Sequence, residues 1–311
     1  MPRKRQPRRV IDALYRSPWA ILPEWLHTLA DLAQRDAPPW AGHLAPQREA
    51  MLARAGKPMN GMRAATMIDG VAVIPMVGPL FPRANMLTEM SGATSLDMGA
   101  ADLDAAVASA EVKAILLDVD SPGGVISGVN EFAGKVRAAA AAKPVHAYVG
   151  GMAASAAYWI ASAASEIVVE ESAMLGSIGV VMAAEVQEGL DRDGYRRFDV
   201  VSSGAPNKRP DLKTDEGIGV YRAELDALES IFVAAVAGNR KVSEAKVFAD
   251  FGAGGLLIGA AAVDAGMADR VGTFETALAG MRRPAQAPSM TSMPSPVAAA
   301  GWRASPRSSR R

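Results

Sequence analysis

The chain has 311 residues, half of them apolar, with no cysteine and with 33 basic against 33 acidic side chains. That size and apolar share provide for one large α/β domain with appendages, and the missing thiols exclude a disulfide framework, a thiolate nucleophile and any thiolate metal site. Charge is segregated: residues 1–10 hold five basic groups and residues 302–311 hold four, with no acid in either, which leaves 24 basic against 33 acidic groups between them.

Basic ends on an acidic body fit solubilising tails, or a weak contact with an acidic partner; no specific nucleic-acid site is expected. Residues 1–11 read as an arm. Leu14 to Gln34 predicts one or two short helices interrupted by Pro18 and Pro23, and Gln47–Ala55 predicts another. Charge and proline break any apolar run after the basic start, so no secretory signal is expected. Residues 1–64 are therefore set apart as a helical appendage with a basic arm.

A main domain is expected over 65–283. GVAVIPMVGPLF from Gly70 predicts a β-rich run, Pro82–Ala100 a loop or lid, Leu103–Ala110 a short amphipathic helix and Val112–Val119 a strand covered on both faces. The tetrapeptide SPGG at 121–124 and a helix over 128–142 follow. Strand 145–149, helix 153–164 and strand Ile167–Val169 continue an α/β alternation, which argues for stacked parallel strands with helices outside.

GSIGVVM at 176–182 predicts a strand, Ala184–Asp193 a helix, Phe198–Val201 a strand and Ser202–Leu212 a polar loop. Thr214 predicts the N-cap of a long helix to about Ala237, with Ile218, Tyr221, Leu225, Leu228, Phe232 and Val236 on one face. Helix Ser243–Phe248, a glycine turn at 252–255, helix Gly259–Ala265, strand Ala268–Val271 and helix Phe274–Met281 complete the domain. Residues 284–311, rich in Pro, Ser and Ala, read as a disordered basic tail.

The centre of the chain is HAYVGGMAASAAYWIASAAS, His146 to Ser165. Its first residues predict the end of a buried strand broken by Gly150 and Gly151, and Ser155 falls where strand turns into helix. The first N–H groups of a helix have no internal partner and carry partial positive charge, so the Ala156 N–H is a candidate oxyanion donor beside a candidate nucleophile. Pro144 to Ser165 lacks a charged Lys, Arg, Asp or Glu, yet proline and the glycine pair break it; no membrane anchor is expected.

Taken alone, Ser155 reads as an ordinary helix-start serine, and the functional reading needs partners. The SPGG turn supplies bare backbone donors, Gly123 or Gly124, for a second oxyanion contact, or is a plain turn. A base for the hydroxyl is harder to find. His146 reads as a strand residue, and a Ser-His-Asp triad is poorly supported. A lysine can serve when burial or a neighbouring cation holds it neutral. Lys208 in SSGAPNKRP, with Arg209 beside it, is the best placed, and Ser177 in GSIGV is a candidate to orient that amine.

Taken in order, SPGG, AASAAYWIAS, GSIGVV, SGAPNK and LLIGAAAVDAGMADRVGTFE resemble the S49 peptidase family over roughly residues 65–280. Five motifs in sequence are far more specific than any one. The resemblance implies a ClpP/crotonase-like fold and a Ser/Lys mechanism with Ser155 as nucleophile, Lys208 as base, Ser177 bonded to that lysine and the SPGG glycines as the oxyanion loop. Ala156-Ala157 stands where the signal-peptidase branch often has Gly-Gly, which fits the phage branch. SGAPNK carries one residue more than the common SGxxK, so Lys213 is a reserve base.

On this resemblance the chain is expected to be a cytoplasmic, ATP-independent serine endopeptidase without a cofactor, trimming scaffold or head proteins during procapsid assembly. It is also expected to form a homo-oligomeric ring in which the lysine can come from a neighbouring subunit. A signal-peptide-peptidase-like general peptidase, a catalytically silent assembly protein and a crotonase-like acyl-CoA enzyme remain alternatives.

Overall fold

The computed structural model describes residues 17–33, 57–59, 62–84, 93–184, 186, 189–190, 194 and 199–282. The predicted N-terminal arm, the helix over 47–55 and the C-terminal tail lie outside these residues. Within them the expected α/β class, with parallel strands and outer helices, is what the chain adopts.

Three apolar strands carry the fold: β4 (Val71–Val77), β7 (Ala114–Ser121) and β9 (Val145–Ala154). They lie parallel side by side, with Val71 against Ala114 and Ile115 against Val145. Alternate side chains leave opposite faces of the sheet. Val71, Val73, Ala114 and Leu116 pack on α8 (Phe274–Arg282) through Phe274, Ala277 and Leu278. Ala72, Ile74, Ile115 and Leu117 enter the main core.

That core is closed by helices α2 (Leu96–Ala108), α3 (Val129–Ala142) and α4 (Ala156–Ser162). Burial on both faces explains the near-continuous apolar runs of β4 and β7.

The sheet is extended on one side by β3 (Thr66–Ile68) and β2 (Lys57–Pro58). On the other side β9 pairs along its first half with β10 (Glu166–Val169), itself parallel to β13 (Arg270–Val271), and along its last residues with β11 (Met174–Gly176). An antiparallel strand the sequence did not suggest, β12 (Leu256–Ile258), lies outside β11. A second, small sheet has the order β1 (Trp19–Ile21), β8 (Gly123–Val125), β5 (Leu80–Phe81), β6 (Thr94–Ser95).

Several expectations need correction. Trp19–Ile21 is a strand rather than part of a helix, and Pro23 opens α1 (Pro23–Ala33) instead of interrupting it, as proline can at the first helical position. The Gly150-Gly151 pair does not end β9. A Cβ on Gly151 would lie 2.6 Å from Asp120 Oδ1, so glycine there admits a close neighbour within a continuous strand. The strand expected at 176–182 ends at Gly176, and 177–182 is irregular chain, bent at Gly179, with an isolated bridge at Val181. Asp199 to Val201 form no strand, and the described residues between 184 and 190 form no helix.

The long helix is present as α5 (Asp215–Arg240), capped by Thr214, whose hydroxyl accepts from the Gly217 N–H at 3.1 Å. Its apolar face is buried only in the second half, at Phe232, Val233, Val236 and Ala237, while Ile218 stays exposed. After it come α6 (Glu244–Asp250), capped by Ser243, and α7 (Ala260–Ala265).

Candidate active site

β9 ends at Ala154 and α4 starts at Ala156, so Ser155 alone makes the junction. Its backbone sits at φ 54, ψ −118, a conformation that costs a residue with a Cβ about 1–3 kcal/mol. Two backbone bonds hold it there: the Ser155 N–H donates to Gly176 O at 2.7 Å, and its carbonyl accepts from the Trp159 N–H at 3.0 Å. The side chain is fully buried, and its hydroxyl donates only a long bond, 3.4 Å, to the Gly179 carbonyl. A weak partner leaves the oxygen poised rather than consumed.

Around this serine the neighbouring strand ends converge. Gly176 is paired with Ala154 and its carbonyl accepts the Ser155 N–H, so Ser177 follows directly on the residue that holds Ser155. Ser177 is also buried and also at positive φ, 51, fixed by its N–H to Gly255 O at 2.7 Å. On the other flank β7 reaches Ser121 opposite Ala153 after an irregularity between Val119 and Ser121.

The chain then turns through Gly123 at φ +99, where a Cβ would meet Ala154 O at 3.0 Å. Gly123 is thus beside the nucleophile position, its N–H directed to Ser121 Oγ at 3.2 Å. Gly124 is paired on both sides, with Ala20 and with Leu80, and a Cβ there would collide with the Leu80 carbonyl. Of the two SPGG glycines, Gly123 is the one next to Ser155; Gly124 is tied into the small sheet. The Ala156 N–H opens α4, where helix geometry leaves it without an intrahelical acceptor.

Among the described residues no hydrogen bond joins Lys208 to Ser155. Lys208 ends an exposed 3-10 turn, Pro206–Lys208, and Lys213 is exposed two residues past Asp211, whose carboxylate accepts the Lys213 N–H at 3.0 Å. Arg209 forms an ion pair with Asp199. His146 stands at the far end of β9, nine residues and roughly 30 Å from Ser155, with Nδ1 2.8 Å from Glu166 Oε2. Burial pushes its pKa below the usual histidine value, against the pull of Glu166.

Two acids near the site escaped the sequence reasoning. Asp120, immediately before SPGG, has its carboxyl pKa raised by burial, partly offset by the Met152 N–H. Glu229 on α5 comes within 3.5 Å of where a Gly179 Cβ would stand, and burial, with Asp226 adding to it, raises its pKa too. Asp120 was visible as part of the turn motif; Glu229 reaches the site only through the packing of α5. Among the described residues no group of three or more His, Asp or Glu side chains is placed to hold a metal ion, and no helix is long and apolar enough to cross a membrane.

Comparison with known proteins identifies a peptidase family and phage and bacterial relatives. Residues 137–287, which include Ser155, Ser177 and Lys208 but not the SPGG turn, match the model of peptidase family S49. The chain is 32% identical over 225 residues to capsid assembly protease C of Escherichia phage lambda, covering 71% of this chain and 50% of that protein. It is 37% identical over 137 residues to head-tail preconnector protein GP5 of Enterobacteria phage P21, covering 43% and 27%. Protease 4 of Salmonella typhi is 42% identical over 93 residues, 30% of this chain and 15% of that one. The chain spans half or less of the length of these relatives.

Proposed function

From the premise that this chain belongs to peptidase family S49, we propose that it is a serine endopeptidase with Ser155 as nucleophile and Lys208 as general base. The family and its protease-named relatives support a peptidase. The observation that carries the Ser155 assignment is a buried serine held at positive φ between a strand and a helix, beside Gly123 and the free end of α4. Such strain is retained where it aims a side chain.

In this mechanism the neutral amine takes the Ser155 proton and the oxygen attacks a peptide carbonyl. The Ala156 N–H receives the oxyanion, joined by the Gly123 N–H once it turns from Ser121 Oγ, the protonated amine returns its proton to the leaving amine, and water releases the acyl group. Ser177 accepts a hydrogen bond from the lysine and orients it.

A lysine acts as base only when desolvated or beside another cation. Lys208 is exposed in the single chain, so the proposed dyad needs assembly: one copy supplies Ser155 and its neighbour supplies Lys208. Mixing Ser155→Ala with Lys208→Ala protein is then expected to restore activity at about a quarter of the sites of a head-to-tail ring, each variant alone being inactive. A mixture as inactive as its components would reject donation between copies. Lys213→Ala should keep activity; its loss, with activity retained in Lys208→Ala, would transfer the base to Lys213.

The substrates we assign are scaffold or head proteins of a phage procapsid, in the host cytoplasm, on the similarity to capsid assembly protease C. Mass spectrometry of a co-expressed candidate scaffold protein, with wild-type enzyme and with Ser155→Ala, tests it. Identical fragment patterns would remove that substrate.

A further inference from the structure

We propose that strand β1 occupies the peptide-binding channel of this same chain, so that residues 19–22 lie where a substrate must lie. This rests on Ser155 as the nucleophile. β1 is three residues long and is held along both edges. Ala20 pairs with Gly124 on one side, and on the other Trp19 exchanges two 2.8 Å backbone bonds with Val181. The Leu22 N–H adds a 3.0 Å bond to the Pro122 carbonyl. An extended peptide captured by strand addition is held by the same kind of main-chain bonds.

The position matches as well. A Cβ on Gly123 would collide with the Ala20 carbonyl and come within 3.0 Å of both Ile21 Cα and Ala154 O, so β1 runs through the space between the turn and the residue preceding the nucleophile. Val181, which bonds Trp19, lies two residues beyond Gly179, whose carbonyl takes the Ser155 hydroxyl. Ser155 has no exposed surface in this state.

β1 belongs to the edge of the small sheet, so its departure leaves the pairing of β4, β7 and β9 intact. Its side chains also define what the channel accepts. Trp19 and Ile21 enter one apolar pocket with Phe81, Leu26 and Leu29, while Ala20 faces the main core. Trp19 meets Phe81 edge to face at 6.0 Å. The displacing substrate is accordingly an extended segment with large apolar side chains two residues apart and a small residue between them.

Ser17 and Ala183 each lie two residues beyond the Trp19–Val181 bridge on the two segments it joins, and the chain has no cysteine of its own. In the Ser17→Cys/Ala183→Cys protein, oxidation should lock β1 and slow fluorophosphonate labelling of Ser155 at least about tenfold, with recovery on reduction. Equal rates in the two states would overturn the proposal, because a strand that merely walls the cleft does not need to move. A second measurement uses a fluorescein-labelled peptide of residues 17–22, SPWAIL, which should bind Ser155→Ala carrying Trp19→Ala and Ile21→Ala at least tenfold more tightly than Ser155→Ala alone.

Equal or absent binding by the folded variant would also overturn the proposal. Tighter binding without labelling in any form would sustain channel occupancy and reject the Ser155 assignment, so the two failures are told apart.

Discussion

At Ser155 a single residue carries both strain and proposed chemistry, and the two separate on substitution. Ser155→Gly should remove the positive-φ penalty and raise stability by about 1 kcal/mol while abolishing proteolysis. Thermal unfolding of the variant and wild type checks this, and a lower midpoint for glycine would deny the strain. Ser155→Ala should lose fluorophosphonate labelling and at least about 10³-fold in activity.

Asp120 gives a pH signature. Burial raises its carboxyl pKa in the folded chain, so the unfolded chain ionises first as pH rises and the folded state retains the extra proton. Its contribution is therefore favourable below the unfolded pKa and is lost as pH climbs through the folded one. Asp120→Asn keeps the acceptor for the Met152 N–H and should flatten this decline in a stability profile from pH 3 upward. An unchanged slope would place the titration elsewhere. Ser155, Gly123, Ala156 and Ser177 could be named from the sequence because a serine at a strand-to-helix turn and a Pro-Gly-Gly turn signal their chemistry locally. Asp120's neighbour across the sheet and Glu229 could not, since both depend on which elements touch.

Elements with a local signature were legible, and those defined by a partner were not. Thr214 and Ser243 each precede acids at a helix start; Thr214 caps as expected, and Ser243, expected inside its helix, caps it too. Thr214→Ala should cost about 1 kcal/mol, read from denaturant unfolding. The strand over Trp19–Ile21 was hidden because WAILPEWL also satisfies helical spacing, whereas prolines on both sides and the large-small-large order of Trp, Ala and Ile already favoured extended chain. Its strand character comes from β8, which lies more than one hundred residues along the chain.

The Gly150-Gly151 pair misled in the opposite sense, since a glycine signals either a break or a close approach and only the Asp120 carboxylate decides between them. Gly124 is constrained in the same way. Gly124→Ala drives a methyl into the Leu80 backbone, and a loss of about 1–3 kcal/mol is expected, with the small sheet weakened first. Hydrogen exchange at β1, β5 and β8 reports it.

For the molecule as a whole, α5 bears on the proposed sharing of a site between copies. Its second half is buried against α4, with Trp159 stacked on Phe232 at 4.5 Å, while Ile218 in its first half and Ile231 further along remain exposed. Those uncovered positions, with the exposed Lys208 just upstream, are where contact between copies is expected. Specific activity should rise with protein concentration until the ring is filled, and sedimentation should show the same midpoint; activity constant down to a fully monomeric concentration would exclude the shared site.

The outermost strand β12 adds a different consequence. Among the described residues it is β11's partner on the side away from β9, and β11 in turn leads into Ser177 and, through the Gly176 carbonyl, holds the backbone of Ser155. Ser177 thus hangs from the rim of the sheet, and Ser155, at the end of the inner strand β9, is tied to that rim through the Gly176 carbonyl, so warming should silence the protein several degrees before its interior melts.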